Sequence, residues 1–213
     1  MPSEPHAGPS LVWYAGYGSN IDEGRFARYL SGGRPPGAVR KTPGARDPAP
    51  PQDQRAVVLP GRMFFGWESP TWGGGISFLD AGADGTAFAR AYLITREQLA
   101  DVAAQEMHRA TGEDLDLGQV LEDRSYSYGP GRYETIHLVG QLDDRPMLTF
   151  TSSTEEQVSV NAPSGAYLAT IVRGLRATHA LTDPDVADYL LGCRGMETWA
   201  PDEVRRLVAA TRP

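Results

Sequence analysis

The chain has 213 residues, 40% of them hydrophobic, which allows one substantial core and barely two small domains. Its formal net charge is −7 and its 20 Lys and Arg form no basic stripe, which argues against a nucleic-acid backbone or an anionic membrane surface as partner. A single cysteine, Cys193, excludes a disulfide framework within the chain and a cysteine-rich zinc site, and a reducing, cytoplasmic setting is the simplest expectation.

The first ten residues, MPSEPHAGPS, have neither a basic start nor an apolar centre. They are expected to be a disordered arm rather than a signal peptide, with one domain over 11–213. No stretch approaches the roughly 18 apolar residues of a membrane span. Residues 11–17 read as an apolar, aromatic strand. DEGRFARYLS at 22–31 spaces Phe26, Tyr29 and Leu30 as a helix does. The Gly-, Pro-, Arg- and Asp-rich run from 32 to 54 reads as a long loop, of the kind that often flanks a site.

Strands are expected at 55–59, 62–68, 75–80 and 87–94, followed by a helix from Thr95 to about Ala110. Thr95 and Gln98 have the spacing of a capping box, and Gly112 can end that helix. An acidic, irregular stretch leads to strands near 132–142 and 146–152, with Asp143-Asp144 turning between them. Three helices close the chain, over 163–177, 183–192 and 200–211. Asp183-Pro184 and Ala200-Pro201 suit the last two helix starts. The pattern is α+β: a mixed β-sheet or small barrel flanked by helices, with a helical C-terminal third.

Two features point to chemistry. The first is the strand-to-helix turn in YAGYGSN, residues 14–20. It admits three readings. As a dinucleotide fingerprint it fails, because Ile21 stands where the third glycine belongs. It can be a tight turn with Ser19 or Asn20 capping the next helix. It can also be a nest of backbone N–H groups for an anion. The second feature is Glu106. The stripe Leu99, Val102, Ala103 extends to it, so it is expected to face inward, where burial would raise its pKa towards that of a general base. The bland alternative is a solvated carboxylate paired with Arg109 or Arg90. His108 faces elsewhere and reads as an ordinary histidine. The four histidines give no metal-ligand spacing, no GxSxG is present, and Cys193 reads as a structural thiol.

Taken together, these residues resemble the γ-glutamylcyclotransferase family in the broad sense that includes AIG2-like proteins. The resemblance rests on Tyr17-Gly18-Ser19-Asn20 ending the first strand, on a downstream strand and helix ending in Gln105-Glu106, and on APSGAYLATIVRGLRA, which is similar to the family's Pro-x-x-x-Tyr helix. It spans roughly residues 12–192. The family often has glycine after the glutamate; here Met107 and His108 follow.

The resemblance implies a γ-glutamylcyclotransferase-like fold and an intramolecular reaction. The substrate's α-amino group attacks its own γ-carbonyl, giving 5-oxoproline and a free amine. Glu106 would be the acid/base. Tyr17, Gly18, Ser19 and Asn20 would bind substrate, with Trp72, Gly74 and Tyr167 near the pocket. No metal or organic cofactor is expected. The partner would be a small γ-glutamyl amide; a related acyl transfer on the same scaffold, or a non-catalytic binding module, stays open. The leaving amine and the oligomeric state are not legible.

Overall fold

A computed structural model describes residues 10–33, 42–152 and 158–211. The expected N-terminal arm lies outside the described residues except for Ser10, whose carbonyl accepts from the Arg96 N–H at 3.0 Å. The same is true of 34–41 in the expected loop.

The elements run β1 (Leu11–Gly16), a 3₁₀ turn (Ser19–Ile21), α1 (Glu23–Ser31), β2 (Asp53–Pro60), β3 (Arg62–Ser69), β4 (Gly74–Asp80), β5 (Thr86–Thr95) and α2 (Arg96–Glu106). Then follow α3 (Gly118–Asp123), β6 (Ser125–Ser127), β7 (Thr135–Leu142), β8 (Arg145–Thr151), α4 (Gly165–Thr178), α5 (Asp183–Leu191) and α6 (Pro201–Ala210). The sequence expectation missed α3 and β6, whose stretch carries no clear period. β7 begins three residues later than expected.

Six strands form one mixed sheet in the order β2-β5-β1-β8-β7-β6. Its parallel pair is β1 with β8, and β2–β5, β5–β1, β8–β7 and β7–β6 are antiparallel. Strands β3 and β4 form a separate two-stranded hairpin, with isolated bridges from Phe64 to Arg194 and from Gly66 to Val160. Of the two alternatives, the mixed sheet is observed. Among the described residues the sheet does not close into a barrel: β2 and the three-residue β6 are its two edges.

Side chains alternate across the sheet, and both faces are covered. Trp13, Ala15, Ala87, Ala89, Ala91 and Met147 join a core with the β3–β4 hairpin and helices α4, α5 and α6. Val12, Tyr14, Tyr92, Ile94, Leu148 and Phe150 join a second core with α1, α2 and α3. This explains why β1 reads as an unbroken apolar run: a strand buried on two faces has no polar side to show.

The start signals hold. Thr95 accepts from the Gln98 N–H at 3.0 Å while Gln98 Oε1 accepts from the Thr95 N–H at 3.1 Å. Thr182 and Asp185 make the same reciprocal pair at the start of α5. The described part of the long loop is tied to α2. Buried Asp101 accepts from Arg46 N at 2.7 Å, Arg46 Nε at 3.0 Å and Gly112 N at 2.9 Å.

Candidate active site

Helix α2 ends earlier than expected, at Glu106. The His108 N–H donates to Gln105 O at 3.2 Å and the Arg109 N–H to Ala104 O at 2.7 Å, with His108 at φ +58°. This double bond closes the last turn once one residue adopts the left-handed conformation, a position that glycine usually fills. Gly112 therefore has no part in the stop.

The early stop decides what Glu106 faces. Seven residues after Leu99 it keeps nearly the same angular position on the helix. By the last turn, however, that face has left the core and opens on a cleft. Met107, not Glu106, continues the buried stripe, and Glu106 is half-buried. Neither of the arginines considered as its partners takes it. Arg90 pairs with Glu23 and Arg109 with Glu134.

Asn20 holds the carboxylate instead. Its Nδ2 donates to Glu106 Oε1 at 3.0 Å and to the Tyr14 hydroxyl at 2.9 Å. Its backbone carbonyl accepts from Tyr92 OH at 2.7 Å. Asn20 thus holds the Glu106 carboxylate in place, a contact that its reading as a helix cap did not anticipate. Asp22 caps α1, accepting from Arg25 N at 2.8 Å. Ser19 makes no such cap.

The turn is packed from below. A Cβ on Gly18 would lie 1.8 Å from Ser77 Oγ, so glycine is required there by close approach. Ser77 Oγ and the Tyr167 hydroxyl are 2.8 Å apart, and the Ser77 N–H donates to Tyr167 OH at 3.1 Å. Tyr17 turns its ring into the core and donates to Phe150 O at 2.8 Å. Among the described residues, no backbone carbonyl accepts from the N–H of Gly18 or Ser19. First-turn donors of a short helix are left open in this way.

A cleft of about 670 Å³ opens over the turn, within the range of small-molecule sites. Tyr17, Gly18, Ser19, Asn20, Trp72, Glu106 and Tyr167 all line it. Gly74 does not: a Cβ there would meet Ala162 O at 2.7 Å and Ser164 N at 3.0 Å, so it fits the hairpin against the start of α4.

Sequence reasoning missed Tyr14, Arg25, Tyr29, Trp67, Arg132 and Tyr133, which also line the cleft. Nothing in their local patterns sets them apart from core tyrosines and surface arginines. Burial pushes the phenols of Tyr14, Tyr29 and Tyr133 up, and the negative charge of Glu106 adds to each. They remain neutral donors around one carboxylate. Burial also pulls the Arg132 guanidinium down, though not out of its charged form.

Four cleft-lining residues carry a buried polar atom with no partner among the described residues: Asn20 Oδ1, Arg25 Nε, Gln105 Oε1 and Arg132 Nε. Native proteins rarely leave such atoms unmatched. Two are acceptors and two are donors. Among the described residues, no cluster of His, Cys, Asp and Glu could hold a metal ion, and no helix is long and apolar enough to cross a membrane. Cys193 is buried and is not among the residues that line the cleft, and burial pushes its thiol up to about 12.

No family model matches the chain. It is 32% identical over 203 residues to histone deacetylase 5 of Arabidopsis thaliana, an alignment covering 84% of this chain and 30% of that protein. The chain thus spans under a third of the length of this curated relative. Among solved structures, a protein described as gamma-glutamyl cyclotransferase superposes with a TM-score of 0.47 at 14% identity, covering 96% of this chain and 89% of that one. A human protein described as uncharacterized gives the same TM-score and identity, covering 95% and 89%. At that level neither likeness carries the reading of fold or site, which rests on the elements and side chains above.

Proposed function

We propose that the protein is a cyclotransferase that converts a γ-glutamyl amide into 5-oxoproline and a free amine. The observation that carries this reading is the Asn20–Glu106 pair, which fixes one carboxylate beside a turn with open N–H groups, in a cleft whose unmatched atoms suit an amino-acid-like zwitterion. An α-ammonium needs acceptors, and Glu106, Asn20 Oδ1 and Gln105 Oε1 are acceptors. An α-carboxylate needs a donor, and Arg25 Nε is one.

In the reaction, Glu106 takes a proton from the α-ammonium. The freed amine attacks the γ-carbonyl carbon, and a new C–N bond closes the five-membered ring. The Gly18 and Ser19 N–H groups receive the oxyanion. Collapse breaks the original amide C–N bond as Glu106 returns this proton to the leaving nitrogen; the ring nitrogen then gives up its second proton through Glu106 to the freed amine, which departs as an ammonium. The nucleophile is tethered, so orientation supplies much of the rate, up to an effective molarity of roughly 10⁵–10⁸ M. No side-chain nucleophile is needed.

The test is mass-spectrometric detection of 5-oxoproline from a panel of γ-glutamyl amides. The expected result is release by the wild type and a loss of about 10²–10⁴-fold in Glu106→Gln, which keeps the shape and removes the base. A rate in that variant within about tenfold of wild type removes Glu106 from the mechanism. A second reading, a related amide-processing acyl transfer, is favoured by Thr42 and Pro43 of the long loop, which reach the cleft and would shape its acceptor side.

A further inference from the structure

The chain is acid-rich, with 27 Asp and Glu against 20 Lys and Arg. Several of its arginines find acids: Arg46 pairs with Asp101, Arg90 with Glu23, Arg109 with Glu134 and Arg176 with Asp183. Two arginines of the cleft are different. Among the described residues, no carboxylate pairs with Arg25 or Arg132, and the Nε of each is buried without a partner. A guanidinium stays charged, and a buried unmatched donor is costly. Both are instead held by aromatic faces. Arg25 lies 5.4 Å from the Tyr29 ring centroid and 5.5 Å from that of Trp72. Arg132 lies 3.6 Å from the centroid of Trp67.

The Arg132 pair is built at a cost elsewhere in the chain. Trp67 sits at φ +58°, a left-handed conformation in which a bulky residue is strained. It occurs at the bulge where the β3–β4 register shifts between Gly66 and Ser69. Two hydrogen bonds enforce it: the Trp67 N–H donates to Ser159 O and Asn161 Nδ2 donates to Trp67 O, each at 2.8 Å. On the other side, Arg132 is carried by a loop clamped on Glu134. A Cβ on Gly131 would lie 2.7 Å from Glu134 Cγ, and Glu134 is tied to Arg109. Stacking fixes the plane of the guanidinium; one Nη bonds the His108 ring, and the Nε side is left for a ligand.

Position distinguishes the two arginines. Arg25 follows the turn by one helical turn and belongs to the glutamyl end. Arg132 touches His108, two residues past Glu106, and feels the field of Glu106. The leaving nitrogen must reach Glu106 to collect its proton. Groups attached to that nitrogen therefore fall on the Arg132 side.

The geometry points to Arg132, held on Trp67, as the residue that selects an amide whose leaving amine carries an anionic group, a carboxylate or a phosphate. This rests on the cyclotransferase reading of the same cleft. Three amides of similar reach test it: γ-glutamyl-alanine, γ-glutamyl-2-aminoethyl phosphate and uncharged γ-glutamyl-ethylamide. The expected result is a kcat/KM for one of the anionic amides about 10–100-fold above that for the ethylamide, the scale of one charge-assisted hydrogen-bonded contact. Whichever anionic amide leads identifies the group. In Arg132→Gln the ratio should fall to about threefold or less, a change in preference that a merely structural role would not produce.

Equal use of the ethylamide by wild type overturns the inference while leaving the reaction standing. So does a variant that slows all three amides alike. If no amide yields 5-oxoproline, the cyclotransferase reading fails, and calorimetric titration of the same three compounds decides the selectivity by itself. An Arg132-dependent margin of about tenfold in Kd for an anionic amide keeps Arg132 as the anion-selecting residue, and equal affinities remove it.

Discussion

The two walls of the cleft are held in different ways. The wall made by the end of β1 and the end of α2 is tied by directional hydrogen bonds: Asn20 to Tyr14 and Glu106, Tyr92 to Asn20, Tyr17 to Phe150. The wall made by the β3–β4 hairpin and the loop before β7 is held by ring faces, with Arg132 on Trp67 and Tyr133 stacked on Phe78 at 5.0 Å. The first wall fixes its carboxylate but leaves two acceptors unmatched, Asn20 Oδ1 and Gln105 Oε1, and the second leaves one donor, Arg132 Nε. Unmatched acceptors on one side and an unmatched donor on the other suit a ligand that carries both charges.

The comparison can be broken or sharpened by substitution. The largest effect is expected at the anchor of the first wall. Asp101→Ala removes a fully buried carboxylate that ties the long loop to α2, and should cost about 3 kcal/mol in urea unfolding. A loss near zero would mean that the loop does not brace the helix. Next comes Gly18→Ala. Its methyl would overlap Ser77 Oγ and force the turn off Tyr167, so about 1–3 kcal/mol of stability should be lost together with turnover. Full activity in a stable variant would show that the turn is as adaptable as the other wall.

Asn20→Ala should lower kcat by about 10–100-fold, because Glu106 and the Tyr14 hydroxyl both lose their donor. Steady-state kinetics with an unchanged kcat would remove the positioning role. The smallest effect on stability is expected at Trp67→Gly. Relief of the left-handed strain, about 1–2 kcal/mol, offsets part of the loss of a partly buried ring, so the thermal unfolding temperature should fall by less than for truncation of a core aromatic. A large destabilisation would show that this ring is core rather than recognition surface.

How much was legible differs between the walls. The turn and the glutamate stood out because local rules mark them: two glycines and an asparagine end an apolar strand, and a carboxylate continues an apolar stripe. The stripe nonetheless misled about depth. Glu106 shares the angle of Leu99, but only the early left-handed stop at His108 puts it at the mouth of a cleft instead of in the core. A glycine would have advertised that stop; histidine did not.

Trp67 and Arg132 are 65 positions apart and sit in segments with no distinguishing period. Their contact exists because a bulge in one hairpin and a loop clamped on Glu134 meet in space.

The sequence by itself determined the α+β class, the capped helix start at Thr95, the helix start at Asp183-Pro184, the tight turn at Asp143-Asp144, and the two chemical suspects. All are set by interactions within a few residues, where spacing is geometry. Only the tertiary structure decided that the sheet stays open with a separate hairpin, that Asn20 reaches Glu106 across 86 positions, and that Arg25 and Arg132 each keep a buried Nε without a partner among the described residues. Those facts depend on which distant surfaces bury one another, and no local pattern encodes that.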